Sequence, residues 1–508
     1  MTLQEKIGQR LIGGFPGTEM TEEFIRIVKQ YKIGNVILFK HNVVNRQQLK
    51  KLCEDIQTLI HRETGHSAFI TIDQEGGVVT RLPDDAVNVP GGMALAATGD
   101  PENARLAAAI TARELHALGV NFNFAPDTDI NNNPDNPIIG SRCFGDTPQQ
   151  VAEYAVAQLT GYQENNMLAS AKHFPGHGDT GSDSHISLPL IDKSLNQLEQ
   201  MELVPFQAMI DAGCPCIMTT HILFPQIEPK KLPATMSRTI VTGLLKEMMG
   251  FQGLVVSDCM EMDAIKKFYG TAEGAAAAAA AGVDLIIVSH TETLLEQAAI
   301  RMEKAVLDGD IPLAELDASV EKILRYKEKY CTEPSGEAGT TEAFAASNEI
   351  RAKTLTHIGS PIPELGKNPL FLGCADYRSG LVSNTELNEN TFAGFMAAHL
   401  GGQAIVTKPN PTEEEIAAAA AATAGHTAVV VNTYNGHLFP GQMALVDVIG
   451  GTGLPMVVVA LRNPYDLKHL PAHAAGIAAW DYTTMTLEAL VPILSGTCKA
   501  PGRMPVKL

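Results

Sequence analysis

Fourteen consecutive residues, Lys172-His173-Phe174-Pro175-Gly176-His177-Gly178-Asp179-Thr180-Gly181-Ser182-Asp183-Ser184-His185, hold three histidines, two aspartates, a lysine and three glycines. They follow the apolar run Met167–Ala171, so a buried strand feeds directly into an ionisable, glycine-rich loop. Loops on rigid scaffolds are where chemistry concentrates. A solvated turn also collects Gly, Ser and Asp, but Lys-His at a strand end followed by Asp-x-His exceeds turn chemistry. In Asp183-Ser184-His185 the aspartate can fix the imidazole tautomer and stabilise its protonated form. A histidine near its reference pKa of ~6.5 can give a proton and retake it at neutral pH.

A second reactive group is Asp258, which ends the apolar run Leu254-Val255-Val256-Ser257. A carboxylate at a strand end can attack the anomeric carbon of a sugar and form a covalent intermediate; the ordinary reading is an N-cap for the next helix. Such a displacement needs an acid for the departing oxygen. No glutamate stands out after the fifth to seventh strands, because Glu261 falls in the first turn of the next helix, so the Asp183–His185 pair is the candidate. His173, His177, Asp179, Asp183 and His185 could also ligate a metal, but no helical spacing such as H-E-x-x-H is present. Neither metal nor cofactor is expected. Asp73 and Arg81 near Gly76-Gly77, the loop Asn131–Arg142, and Lys172-His173 would together suit a substrate dense in hydroxyls. Each could instead be a structural ion pair.

These groups need a scaffold. Apolar, β-branched runs predict strands at Gln9–Phe15, Asn35–Phe39, Phe69–Asp73, Asn121–Asp127, Leu168–Lys172, Cys216–Thr220, Leu254–Asp258 and Leu285–Val288, with helical patterns such as Thr147–Gln163, Leu195–Ala212 and Leu294–Leu307 between them. Eight such strands fit a (β/α)8 barrel; an open doubly wound sheet is the alternative. The polar strand ends Asp73, Asp127, Lys172-His173, His221 and Asp258 favour the barrel, which builds its site at C-terminal strand ends. Residues 331–349, rich in Gly, Ser, Thr and Glu, read as a linker. Beyond it Leu370–Cys374, Ala404–Val406, Ala428–Asn432 and Met456–Leu461 predict further strands, the valine runs being buried on both faces. The expected organisation is therefore a barrel domain over residues 1–330 and an open α/β (αβα sandwich) domain over 350–508.

Composition narrows the partners. The 508-residue chain is 45% hydrophobic and carries a net charge of -19, which suits large cores and argues against a nucleic-acid partner. No apolar stretch reaches the ~18 residues of a membrane span. Met1–Arg10 has no apolar core of a secretory signal, and the eight cysteines are scattered without C-x-x-C. A cytoplasmic protein with reduced thiols is expected, acting on a small molecule with neither nucleic acid nor membrane as partner.

Four motifs, Ile72–Gly77 (IDQEGG), Asn133–Gly145 (NPDNPIIGSRCFG), Lys172–His185 and Val256–Met262 (VSDCMEM), occur in the order found in glycoside hydrolase family 3, and the chain resembles its β-N-acetylglucosaminidases of cell-wall recycling. Ala460–Tyr465 and Pro501–Val506 resemble the second domain of two-domain members. The resemblance implies a retaining exo-acting enzyme. In it Asp258 is the nucleophile and His185 with Asp183 the acid/base dyad. Asp73, Arg142, Lys172, His173 and, less directly, Arg81 hold the terminal sugar. Cys259 departs from the acidic or polar residue expected after the nucleophile. The implied substrate is a terminal β-linked N-acetylglucosamine on a muropeptide or short oligosaccharide. A histidine acid/base that turns neutral repels phosphate less than a glutamate would, so a phosphorylase is an alternative within the family. A non-catalytic sugar-binding protein is the alternative outside it.

Overall fold

The computed structural model describes residues 1–181, 188–374 and 391–508. Eight parallel strands, β1 (Leu11–Gly13), β2 (Asn35–Leu38), β3 (Phe69–Ile72), β4 (Phe122–Asn123), β5 (Leu168–Phe174), β6 (Cys216–Thr219), β7 (Leu254–Ser257) and β8 (Ile286–Val288), form one sheet. Its order is β7-β6-β5-β4-β3-β2-β1-β8. A parallel bridge between Val256 and Leu285 joins its two ends and closes the barrel.

Alternation along each strand explains why the runs are apolar throughout. Ile12, Ile37, Phe69, Phe122, Leu168, Met218, Val256 and Ile287 fill the interior, while Leu11, Val36, Ile70, Ala169, Ile217, Val255 and Ile286 pack under the surrounding helices. Both strand faces are thus withdrawn from water, as a parallel sheet requires. Phe122 meets Phe69 and Phe124 edge-on at centroid distances of 5.5 and 4.8 Å, so the barrel is packed rather than hollow.

A second, six-stranded sheet comprises β9 (Thr356–Gly359), β10 (Leu370–Cys374), β11 (Gln403–Thr407), β12 (Val429–Thr433), β13 (Met456–Ala460) and β14 (Ala475–Ala478), in the order β11-β10-β12-β13-β14-β9. All pairs are parallel except β9 with β14. Helices cover both faces: Leu370, Val429, Val431 and Val458 enter one apolar cluster, and Phe371, Val430, Val457 and Ile477 the other. β10 to β13 coincide with predicted strands; β9 and β14 do not, β9 (Thr-His-Ile-Gly) being short and largely not buried and β14 (Ala-Gly-Ile-Ala) having one β-branched residue.

The stretch read as a linker is only partly loose. Thr341–Thr354 is a helix with Thr340 as its N-cap. Its buried face is anchored: Ser347 Oγ donates to the Asn88 carbonyl at 2.8 Å, and Arg351 reaches the same carbonyl and Asp481, each at 3.2 Å. Ser347, inside the stretch read as a linker, and Arg351, just past it, thus bind the loop after β3, and Arg351 also binds Asp481 beyond β14. Their cores also merge, since Met93, Ile139 and Cys143 of the barrel loops share an apolar cluster with Val431, Tyr465 and Trp480.

Candidate active site

The C-terminal ends of β3, β4, β5 and β7 bring charged groups to one face. Asp73 directly follows β3 and Lys172 lies within β5; Lys172 Nζ is 2.7 Å from Asp73 Oδ1 and 2.6 Å from Glu75 Oε1. Glu75 also accepts two hydrogen bonds from Arg142, at 2.9 and 2.8 Å. Arg142 Nη2 lies 3.5 Å from Asp127 Oδ2 and 3.4 Å from His173 Nε2. His173 Nδ1 is 2.7 Å from Asp129, which also accepts the backbone N–H groups of His173 and His177. Lys172, His173, Arg142, Glu75, Asp127 and Asp129 are buried, and Asp73 is half-buried.

Burial and neighbouring charge fix their protonation. Burial alone would raise the Glu75 carboxyl, but Arg142 and Lys172 hold it well below the usual carboxylate range. Burial lowers the His173 imidazole to about 4, helped by the Arg142 charge. His173 is therefore neutral, donating from Nδ1 to Asp129 and accepting at Nε2. Burial, reinforced by Asp129, pushes Asp127 up to about 7. Lys172 is desolvated, yet Asp73 and Glu75 more than compensate and raise it.

Two loops hold these side chains. The loop after β4 carries Asn131, Asn136 and Arg142. Asn136 Nδ2 donates to the carbonyls of His177 and Gly178, each at 2.9 Å, tying it to the loop after β5. The contact is so close that a Cβ on Gly178 would lie 1.6 Å from the Ile130 carbonyl oxygen, which explains the glycine there. His177 is buried against Thr180 and lowered to about 4 by its burial, and Asp179 pairs with Lys193 at 2.6 Å. These two thus support the loop. Among the described residues, the group with ligand atoms close enough for an ion is Asp127, Asp129 and His173. Arg142 already sets a positive charge against Asp127 and His173, which disfavours a cation there.

Asp258 follows β7 and is half-buried. Its N–H donates to the Thr219 carbonyl at 3.2 Å, and its Oδ1 accepts from the Cys259 N–H at 2.7 Å. The next helix begins at Asp263 with Met262 as N-cap, so the capping alternative does not hold. His221, at the end of β6, is 2.9 Å from the Cys259 carbonyl through Nε2 and steadies the same turn. Asp258 lies near enough to His173 for its charge to act on that imidazole. Glu261 binds the N–H groups of His290 and Thr291 at 2.7 and 2.9 Å, a loop-capping role. Cys259 packs its thiol 3.0 Å from Ser289, and burial pushes that thiol up to about 12.

The structure gathers Asp73, Arg142, Lys172, His173 and Asp258 at the barrel's C-terminal face. Arg81 is buried on the loop after β3, its N–H donating to Gln74 at 2.7 Å. Asp183 and His185 lie outside the described residues. The sequence reading gave no separate role to Glu75 or Asp129, although each is acidic and close to a strand end. Asn463 and Tyr465, from the second sheet, also reach this loop system and carried no sequence signal for doing so.

Comparison with known proteins gives this arrangement a context. A beta-N-acetylglucosaminidase of glycoside hydrolase family 3 from Paenibacillus sp. str. FPU-7 superposes with a TM-score of 0.93 at 37% identity, covering 100% of this chain and 99% of the other. Beta-hexosaminidase A of Pseudoalteromonas piscicida is 34% identical over 339 residues, 61% of this chain but only 56% of the relative's length. Beta-hexosaminidase of Stenotrophomonas maltophilia (strain K279a) is 34% identical over 293 residues, 56% of this chain and 85% of its own. The model for the glycosyl hydrolase family 3 N-terminal domain matches residues 2–326, which include every strand of the barrel and each candidate residue described above on its rim. The chain belongs to glycosyl hydrolase family 3.

Proposed function

We propose that this protein is a retaining, exo-acting β-N-acetylglucosaminidase that releases a terminal β-linked N-acetylglucosamine from muropeptides or short chitin-like oligosaccharides. The observation that carries the reading is Asp258, half-buried just past the end of β7 and near enough to the buried His173 for its charge to act on that imidazole. The likeness to beta-hexosaminidases supports the choice of sugar.

In this mechanism an Asp258 oxygen bonds to the anomeric carbon as the glycosidic C–O bond breaks, and the departing oxygen takes a proton from His185. Water then loses a proton to neutral His185 while its oxygen displaces Asp258, so two inversions give net retention. Asp183 orients and stabilises the imidazolium. Asp73, Lys172, His173, Arg142 and Arg81 hold the sugar hydroxyls and the N-acetyl group. The catalytic unit spans residues 1–330 and a second unit 350–508. Eight free thiols support a reducing, cytoplasmic setting. Among the described residues no helix is long and apolar enough to cross a membrane.

The test is incubation of p-nitrophenyl N-acetyl-β-glucosaminide with and without phosphate, with products identified by mass. Free N-acetylglucosamine in both supports hydrolysis. A sugar 1-phosphate formed with phosphate would make the enzyme a phosphorylase, and binding without turnover would make it a sugar-binding protein.

A further inference from the structure

We infer that Asn463 and Tyr465, from the second sheet, are positioning residues for Arg142. This inference rests on the functional reading above for the meaning of Arg142, and it begins from contacts between segments more than three hundred residues apart. Asn463 follows β13, and its Oδ1 accepts the Ser141 N–H at 2.8 Å. Tyr465 OH lies 2.6 Å from Asn131 Nδ2. Asn131 then spans the same loop from within: its Oδ1 accepts from the Gly140 N–H at 3.1 Å, and its own N–H donates to the Gly145 carbonyl at 2.9 Å.

The approach is tight. Gly140 has φ +46°, and a Cβ there would stand 2.3 Å from Asn463 Oδ1. Asn463, Tyr465, Asn131, Ser141 and Arg142 are all buried. Asp466 fixes the donor loop in turn, accepting the N–H groups of Gly436 and His437 at 2.8 and 2.7 Å. The segment after β13 therefore holds the residue preceding Arg142 by a direct hydrogen bond, and three residues further on it is itself tied to the Gly436–His437 turn. Its guanidinium meets Glu75, Asp127 and His173, so a shift of the 139–142 turn would displace the guanidinium from all three. Neither Asn463 nor Tyr465 is a catalytic residue, since each acts on the loop backbone or its side chains.

The test compares Asn463→Ala, Asn463→Asp and Tyr465→Phe in the full chain. Asn463→Ala leaves a buried N–H without an acceptor, and kcat/KM should fall by about 5- to 150-fold. The loss should sit in KM, with kcat nearly unchanged. Asn463→Asp keeps the accepting oxygen and should restore most of KM. In an Arg142→Lys background the further effect of Asn463→Ala should shrink, because the two residues act through one interaction. Amide exchange of the 131–145 segment should quicken in Asn463→Ala even without substrate. An unchanged KM together with unchanged exchange would overturn the inference, as would full additivity with Arg142→Lys. If Asn463→Ala fails to fold, Tyr465→Phe carries the same measurements. A wild-type chain that neither binds nor cleaves an N-acetylglucosaminide would instead refute the functional reading, while the exchange result would still decide whether the second sheet holds this loop.

Discussion

Glu75→Gln isolates the electrostatic keystone of the charged cluster on the barrel rim. Glu75 sits 2.6 Å from Lys172 and accepts from Arg142 at 2.9 and 2.8 Å, all three residues being buried. Glutamine preserves the shape but removes the charge, and turns an N–H2 toward one of the cations. Lys172 would retain Asp73 at 2.7 Å, whereas the salt-bridge partner left to Arg142 would be the more distant Asp127 at 3.5 Å. Breaking a buried charge pair by deleting one partner costs about 3–5 kcal/mol. If that cost fell wholly on folding, Tm would drop by roughly 3–5 °C in a chain of this length. If the two cations moved instead, the same free energy would appear as a loss of about 160- to 5,000-fold in kcat/KM. Thermal unfolding and steady-state kinetics on the aryl glycoside, measured on one preparation, apportion the cost between fold and site. Glu75→Asp keeps the charge with a shorter reach and should lie between wild type and Glu75→Gln. Wild-type Tm together with wild-type kinetics in Glu75→Gln would refute the reasoning, because the two cations would then not depend on this carboxylate.

Asp258→Ala should abolish turnover in a folded protein, and a fluorinated mechanism-based sugar should label Asp258; wild-type-like rates or labelling elsewhere would count against its role. His185→Ala should lose far more activity on a natural disaccharide than on an activated aryl glycoside, the acid contribution being ~10²–10⁴-fold; equal losses on both would move the proton-transfer role to another residue. Burial depresses His173 from 6.5 to about 4, so between those values the unfolded chain binds a proton that the folded chain does not. Stability therefore falls as pH drops through that window, and His173→Gln should flatten that part of the Tm profile; an unaltered slope would show that His173 is not its source.

Much of this was legible in the sequence because chemistry and periodicity coincide. All eight barrel strands fall within or against apolar runs, and the polar residues ending them point to one rim. Asp258, like Asp73 and Asp127, could be placed on the rim because each acid closes an apolar run. Glu75 could not be separated from Asp73 on the same grounds, because only the distances to Arg142 and Lys172 show that it bridges both cations. β9 escaped because four residues, largely not buried, form no apolar run, and β14 because Gly and Ala give little strand signal; their pairing is set by neighbours. Asn463 and Tyr465 lie 322 and 334 residues from the groups they bind, a relation that no local pattern encodes.

The closure of the barrel also bears on how the chain comes to be folded. β1 is held on one side by β2 and on the other by β8, with Leu11, Ile12 and Gly13 matched to Ile286, Ile287 and Val288. Until residue 288 has been synthesised, the first strand lacks one neighbour and the sheet has two raw edges. Contacts of such sequence separation are slow to form, and the waiting intermediate exposes strands able to pair with other chains. Asp258 precedes β8 by fewer than thirty residues and stands beside the Val256–Leu285 seam, so its surroundings are completed by the same late event that removes the edges. Nascent chains stalled before and after β8 should therefore differ in protease resistance, because β1 gains its second neighbour only when β8 is present.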